Sequence, residues 1–397
     1  MNFLDWVVLI STLLLIIVYG LIKSKGSGTI KDYFLGDRTM PWYMVMFSVI
    51  TTQASAITFI SAPGQAYSDG MRFVQFYFGL PLAMLVVSFV FMPKFIEVNV
   101  ITAYQYLEQR FDVKTRSLAA LLFLLQRSLS AGLTIYAPAV ILSVILGWNI
   151  WIANFVMGGF VILYTVSGGS RAVAYTQMQQ MLVITIGMCV AGFMAVKLLP
   201  ENINFKQAID IADATGCMNT ITTNFSWNDK YNIWSGLIGG FFLSLSYFGT
   251  DQSQVGRYIS AKNVSESRMG LLTTAAVKIP MQYLILLIGA LLISLFHFEK
   301  PPVFFNTAAW QKAKESNQRH ECLWIEKKLD EIFVSKKETA RSYLAAKTSS
   351  ERKIYKEKIR QLHQKEKELR KSALSILKKS GVTSETSDVN YVFLYFV

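Results

Sequence analysis

Between Trp42 and Ile60 an apolar run is interrupted by Thr51, Thr52, Gln53, Ser55 and Thr58. A polar group left unpaired at membrane depth costs several kcal/mol, so a chain that gathers these has a use for them. Irregular backbone survives in a bilayer only where its freed carbonyls line a cavity or hold a ligand. The stretch therefore reads as a helix broken to expose main-chain oxygens. A second segment, Gly239–Tyr258, sets Ser244, Ser246, Gly249 and Thr250 into another apolar helix. The bland reading of both is that small polar residues let helices pack closely. Arg127 lies some ten residues into the apolar run 117–146, where a guanidinium costs at least about 2.5–3.5 kcal/mol unless it meets an anion or water. It suits a bidentate contact to a solute carboxylate; the alternatives are a structural salt bridge or a snorkel to the membrane face. Lys278, eight residues past the start of its span, would neutralise an acidic neighbour or serve a solute.

The elements that must position these residues are membrane helices. The chain is 52% hydrophobic and only 16% charged, well below the quarter charged residues usual in soluble domains. A net charge of +13 does not mark a nucleic-acid partner, because most of it lies in one segment. Residues 299–397 hold 21 Lys/Arg against 13 Asp/Glu. Enzymatic chemistry has no footing: there is no phosphate loop, no catalytic triad and no metal-ligand spacing among Cys189, Cys217 and Cys322. His297, His320 and His363 stand apart and read as solvated or satisfied. Cys217 and Cys322 fall in two loops on one side of the membrane, and whether they pair is left open.

Apolar runs long enough to cross a bilayer fall near 3–22, 42–61, 73–96, 117–146, 149–167, 174–198, 233–252 and 270–298. Another starts at Tyr391. Basic residues mark the loops at 23–41 (Lys23, Lys25, Lys31, Arg38), 93–116 (Lys94, Arg110, Lys114, Arg116), 168–173 (Arg171) and 253–269 (Arg257, Lys262, Arg268). All fall on one side, which makes it cytoplasmic and puts the N-terminus outside. The first run has Asp5 before it and Lys23 and Lys25 after it, so it reads as a retained helix, not a signal peptide. The segment 299–390 then lies outside, where Ala340–Lys379, rich in Lys, Glu and Leu, reads as a solvated helical hairpin capping the bundle. The domains expected are 1–41 (an extra N-terminal helix and its loop), 42–198 (five helices), 199–232 (an outer loop), 233–298 (two helices), 299–390 (the basic helical loop) and 391–397 (the start of a further span). Each polar helix opens one set of spans, and the odd number in the first set makes the two sets inverted. Paired interrupted helices at matching places in inverted halves point to a transporter's binding site.

The motifs are more specific than the pattern. DYFLGDRTMPW (Asp32–Trp42), SAPGQAYSDGM (Ser61–Met71), ITAYQYLEQRF (Ile101–Phe111), IYAPAV (Ile135–Val140), YTVSGGSRAV (Tyr164–Val173) and GTDQSQVGRYISAK (Gly249–Lys262) resemble the sodium/solute symporter family. The likeness runs in register over residues 30–298. It is closest to the branch with the iodide, monocarboxylate and multivitamin symporters. The resemblance implies an all-α polytopic membrane protein with an inverted-repeat core of the APC or LeuT-like type, preceded by one extra helix, the second repeat being incomplete. It implies Na+ as coupling ion, bound by carbonyls at Thr51 and Ala54, oxygen donors that suit a hard cation. Gln177, counted with the sodium-binding residues through its one carbonyl oxygen, takes the place of an aspartate that the family commonly has near the ion; without a charge it weakens any extra cation site, or it merely packs.

For the solute, the resemblance points to Thr58, and to Tyr77, Ser244, Tyr247 and Lys278 at positions where the sugar-carrying branch has its ligands. Tyr77 and Ser244 replace an acid and an asparagine, which argues against a hexose. Tyr247 reads as an aromatic gate or as a packed tyrosine. The hydroxyl ligands of the ion belong to a later helix, and the sequence stops at Val397 as that span begins, so a C-terminally truncated chain with half a site is expected. The function implied is Na+-coupled symport of a small polar solute, carboxylate-bearing if Arg127 is its partner, across the cell membrane. A transporter-like sensor coupled to a partner and a nonfunctional truncated remnant are the alternatives. Beyond solute, Na+ and lipid bilayer no partner is implied, and the oligomeric state leaves no trace.

Overall fold

The computed structural model describes residues 3–24, 38–226, 229–382 and 387–397. Lys25, Lys31 and the whole DYFLGD stretch (Asp32–Asp37) lie outside the described residues. In chain order the helices are α1 (Phe3–Ser24), α2 (Trp42–Gln53), α3 (Ala56–Asp69), α4 (Leu80–Val86), α5 (Met92–Glu97), α6 (Ala103–Arg110), α7 (Val113–Leu146) and α8 (Ile150–Lys197). They continue as α9 (Phe205–Ala214), α10 (Gly240–Thr250), α11 (Gln252–Tyr258), α12 (Val264–Phe298), α13 (Thr307–Lys314), α14 (Arg319–Ala345), α15 (Ser349–Lys379) and α16 (Val389–Phe396). Among the described residues, four stretches are long and apolar enough to cross a bilayer alone: Met71–Glu97, Val113–Val140, Ala172–Lys197 and Val264–Phe298. The broken pair α2 and α3 makes a fifth if counted as one span. The run expected at 233–252 is divided, because a π-helical turn at Ser235–Gly239 precedes α10. The runs 149–167 and 174–198 are the two arms of α8, which breaks at Gly169 (φ 58°, ψ −166°), a conformation only glycine adopts cheaply.

The chain divides into two compact units. The first comprises Met1–Ile57, Phe76–Ile186 and Ile233–Pro280. Its core gathers Met44, Val45 and Val49 of α2, Leu80 and Met84 of α4, Phe248 of α10, Val255 and Tyr258 of α11, and Leu271 of α12. α2 starts behind extended Pro41, and the Glu266 carboxylate accepts the orphan Trp42 N–H at 2.6 Å. α7 starts on Asp112, whose side chain accepts from the Thr115 amide at 2.7 Å, and stops at Gly147 in the left-handed region (φ 67°). α4 and α10 meet backbone to backbone. A Cβ on Gly79 would fall 2.1 Å from the Phe241 nitrogen, and one on Gly240 would fall 2.4 Å from the Phe76 oxygen. Small residues at this crossing thus do what they do in other membrane bundles, letting two helix backbones touch.

The second unit comprises Thr58–Gln75, Gly187–Asn232 and Met281–Val397. Its basic part is a helical hairpin, but the hairpin starts at Arg319 and not at Ala340. α14 and α15 are joined by the turn Ala346–Thr348, and Thr348 with Glu351 forms a capping box. α15 buries Ile359, His363, Glu366, Ala373, Ile376 and Leu377, mostly spaced three or four residues apart as one face of a helix requires. Two ion pairs tie it to α9: Arg352 to Asp210 at 2.6 Å and Lys356 to Asp213 at 2.5 Å. At the hairpin's root Glu366 receives Lys336 (2.5 Å) and Arg370 (3.1 Å). Arg370 also donates to the Val303 and Pro302 carbonyls and stacks on Phe305. Burial alone would raise the Glu366 carboxyl, yet the two cations hold it well below the usual carboxylate range. The pairing considered for Cys217 and Cys322 is absent: all three cysteines are free. Cys217 is buried with Tyr67, Ile211 and Leu292, and Cys322 with Trp310, Ile325 and Ala373. His297 and His363 are buried, not solvated, and each keeps one ring nitrogen without a partner.

Candidate ion and solute site

α2 ends where its side chains turn polar. The last helical bond runs from the Ala54 amide to the Ile50 carbonyl at 2.8 Å, and Ala54 (φ −91°, ψ 81°) leaves the helix. The carbonyls of the final turn, Thr51 among them, have no helical donor beyond this point. α3 resumes at Ala56. Ala54 itself is buried.

The polar side chains of this turn are held by one residue of α8. Ser48 donates through Oγ to Gln177 Oε1 at 2.9 Å, and Gln177 Nε2 donates to Thr52 Oγ1 at 3.2 Å. Thr52 in turn donates to the Ser48 carbonyl at 2.7 Å, and Thr51 Oγ1 donates to the Gln177 carbonyl at 3.4 Å. Sequence reasoning noted Thr52 as polar but gave it no role, and it passed over Ser48. Their spacing with Thr51 (i, i+3, i+4) puts them on one helix face, and that was the available signal. Thr58 lies on α3 in the other unit and is half-buried.

Lys278 on α12 is 1% exposed. The acidic neighbour considered for it does not occur among the described residues. Among the described residues its ammonium faces the Tyr77 ring, 5.7 Å from the centroid. Tyr77 closes the 3-10 turn Met71–Tyr77 that leads into α4. Ser244 and Tyr247 both sit on α10, half-buried. The Tyr247 hydroxyl accepts from Gln254 Nε2 at 2.9 Å, and its ring packs on the core of the first unit.

Arg127 meets a carboxylate of the chain itself. Its Nη1 lies 3.7 Å from Asp251 Oδ2, and the Asp251 side chain is only 12% exposed. Asp251 is also the hinge between α10 and α11: it is extended (φ −75°, ψ 115°), and its carboxylate accepts the Ser253 amide at 2.8 Å. The interruption of the second polar segment therefore falls at its end. α10 runs unbroken through Ser244 and Ser246, since Thr250 Oγ1 bonds back to the Ser246 carbonyl at 2.8 Å and needs no irregular backbone. Nearby, Gln252 accepts the Ala103 amide and donates to the Ile101 carbonyl, and Tyr104 donates to the Thr250 carbonyl. No group of three or more His, Cys, Asp or Glu that could hold a metal occurs among the described residues. The oxygen donors on offer at the end of α2 are neutral carbonyls and hydroxyls, which fit a hard alkali ion.

Comparison with known proteins gives one answer at three levels. The family model described as Sodium:solute symporter family matches residues 33–325. Sodium-coupled monocarboxylate transporter 1 of Xenopus laevis is 30% identical over 288 residues, covering 68% of this chain and 44% of that protein. The human sodium/iodide cotransporter is 29% identical over 62% of the chain and 38% of its own length. The sodium-dependent multivitamin transporter of Oryctolagus cuniculus is 28% identical over 72% and 44%. The chain thus spans less than half the length of these relatives, which are transporters and not enzymes. A substrate-bound, outward-open Na+-coupled sialic acid symporter superposes with TM-score 0.67 at 22% identity, over 100% of this chain and 78% of the other. That likeness establishes the all-α fold expected from the motifs, and the apolar helices make this a multi-pass membrane protein.

Proposed function

Because the chain belongs to the sodium:solute symporter family, we propose that it is a secondary active transporter of the cell membrane, oriented with its N-terminus outside, in which Na+ running down its gradient drives uptake of a small anionic organic solute. The observation that carries this reading is the break in α2 at Ala54, beside a turn whose hydroxyls are held in place by a neutral amide. The ion takes the carbonyls of Thr51 and Ala54. With an amide at 177 in place of a carboxylate, the site suits one Na+ per cycle.

The solute faces Tyr77, Ser244 and Tyr247, and its negative charge meets Lys278. Arg127, already paired with Asp251, is assigned to the protein's own structure. An anionic cargo agrees with two of the relatives, named for iodide and for monocarboxylates. The test is uptake of a labelled monocarboxylate into liposomes carrying the purified chain, under an inward Na+ gradient or an equal K+ gradient. Accumulation with Na+ alone is the expected result; uptake indifferent to the cation overturns the proposal.

A further inference from the structure

We infer that Gln177 is a positioning residue: its side-chain amide braces Ser48 against Thr52, fixes the last turn of α2 in the shape that presents the Thr51 and Ala54 carbonyls, and does not itself ligate the ion. The inference rests on the proposed ion site but concerns how that site is held.

Both ends of the amide are committed. Oε1 accepts from Ser48 Oγ at 2.9 Å, and Nε2 donates to Thr52 Oγ1 at 3.2 Å. The direction of the second bond follows from the first turn of the network. The only hydroxyl proton of Thr52 goes to the Ser48 carbonyl at 2.7 Å, so Thr52 Oγ1 can only accept, and its partner must be an N–H. The backbone of the same residue takes a third contact, from Thr51 Oγ1 at 3.4 Å. One residue thus holds three side chains of a single turn, immediately before the backbone leaves the helix. A helix end in a membrane has carbonyls without donors and no water to satisfy them, and bracing from a neighbouring helix keeps such a turn from fraying or re-forming as continuous helix.

A carboxylate cannot do this. Glutamate at 177 still accepts from Ser48, but it has no N–H for Thr52, so either its oxygen faces a lone pair or the Thr52 proton must leave the Ser48 carbonyl. The brace and the ligand readings therefore diverge in sign. If the residue braces, Gln177→Glu raises the Na+ half-saturation constant about tenfold, as loss of one bond and gain of one repulsion implies. If it ligates, the added charge lowers that constant. Ser48→Ala and Thr52→Val, which remove the brace's partners and leave Gln177 in place, raise the constant severalfold under the inference and leave it unchanged under direct ligation. Pairing Gln177→Glu with Thr52→Val removes the facing lone pair, so the double variant recovers part of the loss.

A second readout needs no transport. Hydrogen exchange of residues 48–56 in Na+-free detergent accelerates in Gln177→Ala, Ser48→Ala and Thr52→Val if the brace acts on the empty protein. Unchanged exchange in the absence of Na+ overturns the inference. Should Gln177→Ala fail to fold, Ser48→Ala and Thr52→Val carry the test alone. A wild-type chain without Na+-driven uptake would end the proposed function and leave the exchange result standing, so the two failures are distinguishable.

Discussion

Lys278 directs its ammonium at the face of Tyr77, 5.7 Å from the ring centroid, with no carboxylate in reach among the described residues. A buried ammonium without a counterion is costly, and a desolvated cation–π contact returns only about 2 kcal/mol. Such a residue lowers stability unless something anionic completes it. Lys278→Met, which keeps the length and drops the charge, is expected to raise thermal stability or leave it unchanged. The same change raises the KM for a monocarboxylate at least tenfold and leaves the Na+ half-saturation constant near wild type. Tyr77→Phe keeps the ring and changes little. Unaltered solute affinity in Lys278→Met removes the residue from the solute site.

Arg127 and Asp251 make the complementary case. Their 3.7 Å pair involves an arginine side chain that is 38% exposed, so the pair is worth about 0–1 kcal/mol. Asp251 contributes more as the cap of α11, about 1 kcal/mol. In thermal unfolding Asp251→Ala is expected to cost more than Asp251→Asn, whose amide oxygen still accepts the Ser253 N–H, and Arg127→Met should resemble Asp251→Asn. Solute KM stays constant across all three. A KM increase confined to Arg127→Met would return Arg127 to the solute.

Two parts of this architecture are plain in the sequence, and the reason is cost. Thr51, Thr52, Gln53 and Ser55 between apolar runs forecast a broken helix because unpaired polar groups in a bilayer are too expensive to be incidental. A short loop was expected at 168–173, and Gly169 breaks α8 there. What stayed hidden is pairing across space. Nothing local reveals that Arg127 meets Asp251 or that Gln177 spans Ser48 and Thr52. Ser244 and Ser246 suggested a break that α10 does not have, because helical hydroxyls can bond back to the preceding turn. The hairpin was started too late, at Ala340 instead of Arg319, although Thr348 and Glu351 spell a capping box between two helices; the dense charge of both helices masked the boundary.

His363 gives the second unit a pH response. Burial pushes its imidazole down to about 3, and the nearby Lys336 reinforces the shift, while Glu366 opposes it and Lys367 and Arg370 add to it. Its Nε2 lies 3.8 Å from Cys217 Sγ, and its Nδ1 has no partner. An exposed histidine titrates near pH 6.5. The unfolded hairpin therefore binds a proton that the folded one refuses between about pH 6.5 and about pH 3. The contribution is fully present above pH ~6.5 and declines below it, by up to about 1.4 kcal/mol per pH unit. Limited proteolysis at the α14–α15 turn should be flat above pH 7 and quicken toward pH 5. His363→Gln flattens that acid limb, and an unchanged profile in this variant contradicts the assignment.

Gly79 and Gly240 set the tightest crossing in the first unit, and the test of it has a built-in control. A Cβ on Gly240 meets the Phe76 carbonyl oxygen at 2.4 Å, whereas one on Gly239 finds nothing within 4 Å. The obstructing atoms are backbone and cannot rotate away as a side-chain tip would, so α4 and α10 must separate. Overpacking of this kind costs about 1–3 kcal/mol or more. Gly240→Ala is therefore expected to lower the melting temperature of the detergent-purified protein by several degrees, with Gly79→Ala matching it. Gly239→Ala should change it by no more than a surface substitution does, within about 0.5 kcal/mol. Because α10 carries Ser244 and Tyr247 and the 3-10 turn before α4 carries Tyr77, separation of these helices also pulls the proposed solute ligands apart. Solute KM in Gly240→Ala should rise in step with the lost stability, and a destabilised variant with wild-type KM would show that the ligands do not depend on this contact.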